Sequence, residues 1–140
     1  MTRKAASVVI ADERGRVLLI HEDYGRHRWG LPGGRHEPGE SIEETAIREA
    51  KEETNLVVEL GELIGTYLIV RAGGEKLLDV AVFVASIVGG ELKPNEGEIA
   101  DVGWFDPNEM PGPTTDVGPR AIADWVRGER GVNRRVVSPH

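Results

Sequence analysis

Short apolar runs broken by polar turns make up most of the chain. Ser7-Val8-Val9-Ile10 and Val17-Leu18-Leu19-Ile20 have strand length and β-branched or apolar character. Asp12-Glu13-Arg14-Gly15 between them reads as a hairpin loop. Residues 21 to 36 are loop-like and rich in His, Arg and Gly, with Trp29 and Leu31 as anchors. Pro38-Gly39 closes that loop. The period then changes. Ser41 opens a helix, and Glu44 three residues on completes a capping box. Ile42, Ala46, Ile47 and Ala50 form its apolar stripe. The pattern predicts a helix over about residues 42 to 54, ending at Asn55, which accepts a left-handed backbone better than most residues.

Strand character returns at Val57 to Leu60, Leu63 to Val70 and Leu77 to Val88, with Ala72-Gly73-Gly74-Glu75 as a turn. Ile99 to Phe105 forms a further strand. A Pro- and Gly-rich connection leads to a short helix over Arg120 to Arg127, whose apolar side holds Ile122, Trp125 and Val126. The tail over residues 128 to 140 is expected to fray. This order implies a mixed sheet with packed helices, an α/β or α+β class, in a single domain over residues 1 to 140.

Composition narrows the function. With no cysteine, disulfides, zinc thiolates and thiol nucleophiles are excluded. No apolar run is long enough to span a membrane and no secretory signal is evident, so the cytoplasm is the expected location. The net charge is −7, and residues 37 to 62 alone account for it, with nine acidic residues against Arg48 and Lys51. Such a patch repels bare nucleic acid and attracts divalent cations, or a phosphate arriving with them.

Within that patch, Glu49, Glu52 and Glu53 fall inside an arc of about 100° on a helix. Taken alone, the spacing suits a plain solvated helix face, where exposed glutamates are common. The wider spacing changes this. From Gly34, five residues lead to Glu40, seven more to Arg48-Glu49, then Ala50, Lys51 and Glu52-Glu53, with Leu56 after. Residues 34 to 56 resemble the Nudix box, and Trp29-Gly30-Leu31-Pro32-Gly33 before it resembles the family's flank. Two positions depart: Asn55 stands where the family has glycine, and Ala50 is a small version of the usual aliphatic residue.

The resemblance implies an α/β/α sandwich and a loop-helix-loop metal site. It implies Mg2+-dependent hydrolysis of a phosphoanhydride in a nucleoside diphosphate linked to another group, with Mn2+ as a substitute. Glu49, Glu52 and Glu53 are the implied metal carboxylates, and the carbonyl of Gly33 a further ligand. Arg48 would hold Glu40 or Glu49 in place. The general base is Glu49, or a later-loop glutamate, Glu98 before Glu96. Arg26, Arg28 and Lys93 are candidate phosphate contacts, and Trp29 a candidate stacking surface. Among substrates, nucleoside triphosphates rank first; ADP-ribose, nucleotide sugars and dinucleoside polyphosphates follow. Tyr67 lies closer to the box than the tyrosine associated with the dinucleoside enzymes. A homodimer is the implied assembly. A catalytically silent nucleotide-binding regulator is the competing reading from another class, though such a protein has no need of all three glutamates.

Overall fold

A computed structural model describes residues 2–139. Its strands fall into two sheets. β1 (Arg3–Ile10), β4 (Gly33–Arg35), β5 (Leu56–Arg71), β6 (Lys76–Gly90) and β8 (Val132–Ser138) form a five-stranded sheet in the order β4-β1-β6-β5-β8. β1 runs parallel to β6 and β5 parallel to β8, while the other pairs are antiparallel. β2 (Val17–Glu22), β3 (Trp29–Gly30) and β7 (Ile99–Phe105) form a smaller antiparallel sheet in the order β3-β2-β7.

The large sheet is covered on both faces, which is why β1 and β6 read as continuous apolar runs rather than alternating ones. Along β1, Ala6, Val8 and Ile10 face helix α1 (Ile42–Thr54) and pack with its Ala46 and Ala50. Ala5 and Val9 face the other way, toward a core shared with Ala121 and Ile122 of helix α2 (Gly118–Val126). The result is the mixed sheet with packed helices that the element order implied, in the sandwich that the resemblance implied.

Helix α1 begins and ends where the sequence placed it. Ser41 Oγ accepts from the Glu44 amide at 3.0 Å, and a Glu44 carboxylate oxygen accepts from the Ser41 amide at 2.8 Å. Asn55 takes φ 64° and its amide donates to Lys51 O. The left-handed residue that ends the helix is therefore met without glycine.

Four expectations need correction. Asp12 to Gly15 does form a tight turn, with the Gly15 amide donating to Asp12 O. The flanking strands share one antiparallel bridge, Ala11 with Val17, and then part into different sheets. The loop over residues 21 to 36 contains two short strands, β3 and β4, too brief to carry a period. The segments around Leu60 and Leu63 are one strand, β5, interrupted by irregular register. The tail expected to fray forms β8, in register from Val132 opposite Gly65 to Ser138 opposite Arg71. Residue 140 of that tail lies outside the described residues.

The terminal strand is held by a buried charge. Asp124 of α2 has a side chain only 1% exposed. It accepts from Tyr67 Oη at 2.7 Å, from Arg134 Nε and Nη2 at 2.7 and 2.8 Å, and from Arg127 Nη2 at 2.6 Å. Arg134 on the polar tail and Arg127 at the end of α2 are thus structural, and Tyr67 is a core residue. Trp125 packs partly buried against the same core, but Val126 is exposed.

Candidate metal and nucleotide site

The helical period decides which glutamates are buried. At about 100° per residue, Ile42, Ala46, Glu49 and Glu53 lie within about 60° of one another, at the centre of the face α1 turns to the sheet. Ile47 falls outside that arc and is 37% exposed, so it is not part of the stripe. Glu53 is only 6% exposed. Glu52 lies at the edge, with its side chain half exposed.

Close approach of β4 to α1 shapes the pocket for these carboxylates. The Gly33 amide donates to Glu53 Oε1 at 2.7 Å. A β-carbon on Gly34 would overlap the Glu49 carboxylate, so any side chain there would push that carboxylate out of its place. Burial pushes the Glu53 carboxyl up to about 8, opposed by the Gly33 amide and helped by the charges of Glu49, Glu98 and Glu22. Burial also raises Glu49, against the pull of Arg48.

Arg48 organises the rest. Its Nε and Nη2 donate to the two carboxylate oxygens of Glu40 at 3.0 and 2.8 Å, and Nη2 also reaches Arg35 O at 3.0 Å. Its Nη1 lies 2.8 Å from Glu49 and 3.2 Å from Glu52. The guanidinium bonds, with help from the Glu37 amide and Thr45, hold the Glu40 carboxyl down at about 2. The expected pairing of Arg48 with Glu40 or Glu49 is therefore met by both.

Among the described residues, no three His, Cys, Asp or Glu side chains converge tightly enough to hold a metal ion. The reason is visible: Arg48 draws Glu49 and Glu52 toward itself, while Glu53 turns to Gly33. The donor chemistry still fits a hard cation. It is all carboxylate, and the hydrogen bond to buried Glu53 comes from an amide rather than a cation.

A cleft of about 210 Å³ leads away from Glu53 and Gly33. Ile20, Leu31, Ile69, Leu78 and Val80 supply apolar wall, and Thr115 to Gly118, at the start of α2, close one side. Arg28 lines the cleft as well. Trp29 does not line it; its ring stacks on His21 at 4.5 Å and meets Phe105 edge-on at 5.0 Å. Glu98 is exposed, yet its charge acts on both Glu49 and Glu53. Glu96 and Lys93 lie elsewhere, in a shallow depression beside Lys51 and Glu52. Arg26 is exposed.

Residues 1–126 match the model of the NUDIX domain. The chain belongs to the Nudix family. Among its Nudix relatives, a putative 8-oxo-dGTP diphosphatase of Bacillus subtilis (strain 168) is 35% identical over 133 residues, covering 95% of this chain and 86% of that protein. An ADP-ribose pyrophosphatase of Methanocaldococcus jannaschii is 32% identical, covering 87% of this chain and 72% of that protein. The crystal structure of a MutT NUDIX hydrolase from Burkholderia pseudomallei superposes with a TM-score of 0.80 at 28% identity, over 89% of this chain and 98% of that one. This Nudix chain is accordingly a hydrolase of phosphoanhydride bonds in nucleotides or their derivatives.

Sequence reasoning missed two residues of this Nudix site. Glu22, 9% exposed at the end of β2, lines the cleft. Asp116 lines its opposite side. Glu22 carried a signal: it follows the apolar run 17 to 20 at a position whose alternation continues inward. Asp116 carried none, because a Pro- and Gly-rich connection has no period.

Two expectations follow from this electrostatic arrangement. Arg48→Ala should weaken manganese binding and lower activity by roughly 10- to 100-fold, the usual cost of removing a residue that orients metal ligands. Arg48→Lys should recover only part, because one ammonium cannot serve Glu40 through two nitrogens and Glu49 through a third. Calorimetric titration with manganese measures this, and unchanged affinity in Arg48→Ala would contradict it. The second concerns pH. The folded carboxyl of Glu53 sits above its ordinary value near 4.5. Its contribution to stability is therefore full below about pH 4.5 and lost as pH rises through about 8. Metal-free protein should lose up to a few kcal/mol between about pH 5 and pH 9 from this group. Glu53→Gln should flatten the profile in chelator; an unchanged slope would show that another group causes it.

Proposed function

We propose that the chain hydrolyses nucleoside triphosphate-type substrates with Mg2+, or Mn2+ in its place. The observation that carries this reading is a single apolar-walled cleft ending at Glu53 and Gly33. Ile20, Leu31, Ile69, Leu78 and Val80 offer apolar surface for a nucleobase beside the carboxylates that would hold a metal-bound phosphate chain. The Bacillus subtilis relative, a putative 8-oxo-dGTP diphosphatase, supports the same order.

Glu49, Glu52 and Glu53, with the Gly33 carbonyl, are the groups that would hold the cation. When bound, it supplies charge neutralisation at the phosphate oxygens and acidifies an attacking water. Arg48 and Glu40 keep the carboxylates in place. Glu49 is a candidate to take the proton of that water, and Glu98, whose charge reaches the same carboxylates, is the alternative. Magnesium dependence is typical of the family. A cytoplasmic location and a homodimeric assembly belong to the same reading; sedimentation tests the latter.

The Methanocaldococcus jannaschii relative favours a second reading, hydrolysis of ADP-ribose or a similar diphosphate. A panel of nucleoside triphosphates, ADP-ribose, nucleotide sugars and dinucleoside polyphosphates, with product identification, separates the two. Highest kcat/KM on a triphosphate is expected, and the products show which phosphorus is attacked. Preference for ADP-ribose would replace the first reading with the second. Failure to cleave any member with magnesium or manganese, despite binding one, would leave the silent regulator.

A further inference from the structure

Glu22 is a buried carboxylate for which the proposed chemistry has no use. With Tyr24 and Arg28 it lines the cleft that also holds Gly33 and Glu53. Arg28 is the one Lys or Arg among the residues lining that cleft, against Glu22, Glu53 and Asp116. A magnesium-bound nucleoside triphosphate still carries net negative charge, so a wall of carboxylates repels it unless a cation intervenes.

The geometry between Glu22 and Arg28 is incomplete. The Arg28 amide donates to Glu22 Oε1 at 3.3 Å, and the same oxygen lies 3.5 Å from Arg28 Nε. That Nε is buried but makes no hydrogen bond among the described residues. Buried donors are nearly always paired, and an exception calls for an explanation. Here the carboxylate is near enough to hold the guanidinium electrostatically, yet it leaves the N–H unused. Tyr24 lines the cleft beside Glu22, and burial with the neighbouring Glu22 and Glu53 charges pushes its hydroxyl up to about 12. Glu22 is thus held by the Arg28 backbone amide, beside the guanidinium of the same residue.

Resting on the nucleotide reading above, we propose that Arg28 binds a non-bridging phosphate oxygen of the substrate and that Glu22 is the positioning residue that aims its guanidinium. The planar fork of arginine suits phosphate. Phosphate is favoured over the nucleobase because Arg28 is the one cation lining a cleft that also holds Gly33 and Glu53, the residues named above for the metal.

The test is equilibrium binding of methylene-bridged nucleoside triphosphate analogues, one purine and one pyrimidine, with magnesium. The proteins are the wild type, Arg28→Ala, Arg28→Lys, Glu22→Gln and the double variant Glu22→Gln/Arg28→Ala, each checked by thermal melting. Arg28→Ala should weaken both analogues by a similar factor, roughly 10- to 100-fold. Arg28→Lys should recover part of this loss. Glu22→Gln should weaken binding in the wild-type background and have almost no further effect in the Arg28→Ala background, since it acts through Arg28. A merely structural Glu22 would weaken both backgrounds equally, and that result overturns its positioning role. A loss confined to one base overturns the phosphate assignment. Wild-type affinity retained by every variant overturns this proposal alone, whereas failure of the wild type to bind either analogue overturns it together with the triphosphate reading.

Discussion

Glu53→Gln is expected to lower magnesium-dependent kcat/KM by about 10³-fold or more, equivalent to ~4 kcal/mol of transition-state stabilisation. This carboxylate is buried with a backbone amide, not a cation, as its hydrogen-bond partner. It sits 6% exposed against the Gly33 amide, and burial keeps its proton on until about pH 8. A buried carboxylate in that condition gains most from a bound cation, which removes both the desolvation penalty and the repulsion from Glu49. Glutamine keeps the shape and the acceptor for the Gly33 amide but carries no charge, so the fold should survive while the metal loses a ligand. The two effects can be measured apart. Metal-free Glu53→Gln should be at least as stable as the wild type above about pH 8, where the wild type must hold a buried charge. Steady-state kinetics on the preferred substrate should collapse in the same protein. Activity within tenfold of wild type would remove Glu53 from the site; lost activity with lost folding would show that it is structural.

Asp124→Ala is expected to destabilise the fold by about 3 kcal/mol or more, because one partner of a buried ionic network is removed and the others remain. The fully buried Tyr67 hydroxyl loses its acceptor, and Arg134 and Arg127 lose their counter-charge. Arg134 lies on β8 and Tyr67 on β5, so the loss should loosen α2 from the sheet and free the terminal strand. Hydrogen exchange should speed up first at residues 132 to 138. Asp124→Asn should cost less, since it keeps an acceptor for the tyrosine. The acid limb has a definite sign. The arginine and tyrosine bonds prevail over burial and hold the Asp124 carboxyl below its ordinary 3.8. Its stabilisation is therefore present above pH 3.8 and fades as pH falls through the lower folded value. Denaturant melts at neutral and acid pH measure both effects; a loss under about 1 kcal/mol in Asp124→Ala would mean that water replaces the carboxylate at little cost.

Much of the site was legible because it is local. The capping box at Ser41, the stop at Asn55 and the spacing of Glu40, Arg48, Glu49, Glu52 and Glu53 all lie within sixteen consecutive residues. A helix turns such spacing directly into direction. The burial of Glu53 and the exposure of Ile47, which the apolar stripe had included, came only from the structure. Hydrophobicity was the misleading guide there: a functional carboxylate occupied a position that packing alone would give to an aliphatic residue.

By itself, then, the sequence determined α1, its caps, its acidic face and the strand-rich class, since each depends on residues close in the chain. Only the tertiary structure decided that β1 and β2 part into separate sheets and that the polar tail 132 to 138 becomes β8. It also decided that Glu22, Arg28 and Asp116 meet across one cleft with Glu53. The physical reason is common to all of these. Strand partners and cleft walls are chosen by which surfaces bury one another over long sequence separations, and period-two alternation says which way a side chain points but not what it meets. Arg134 shows the limit most plainly: read along the chain it is one more tail charge, and only the fold brings it to Asp124 and Tyr67.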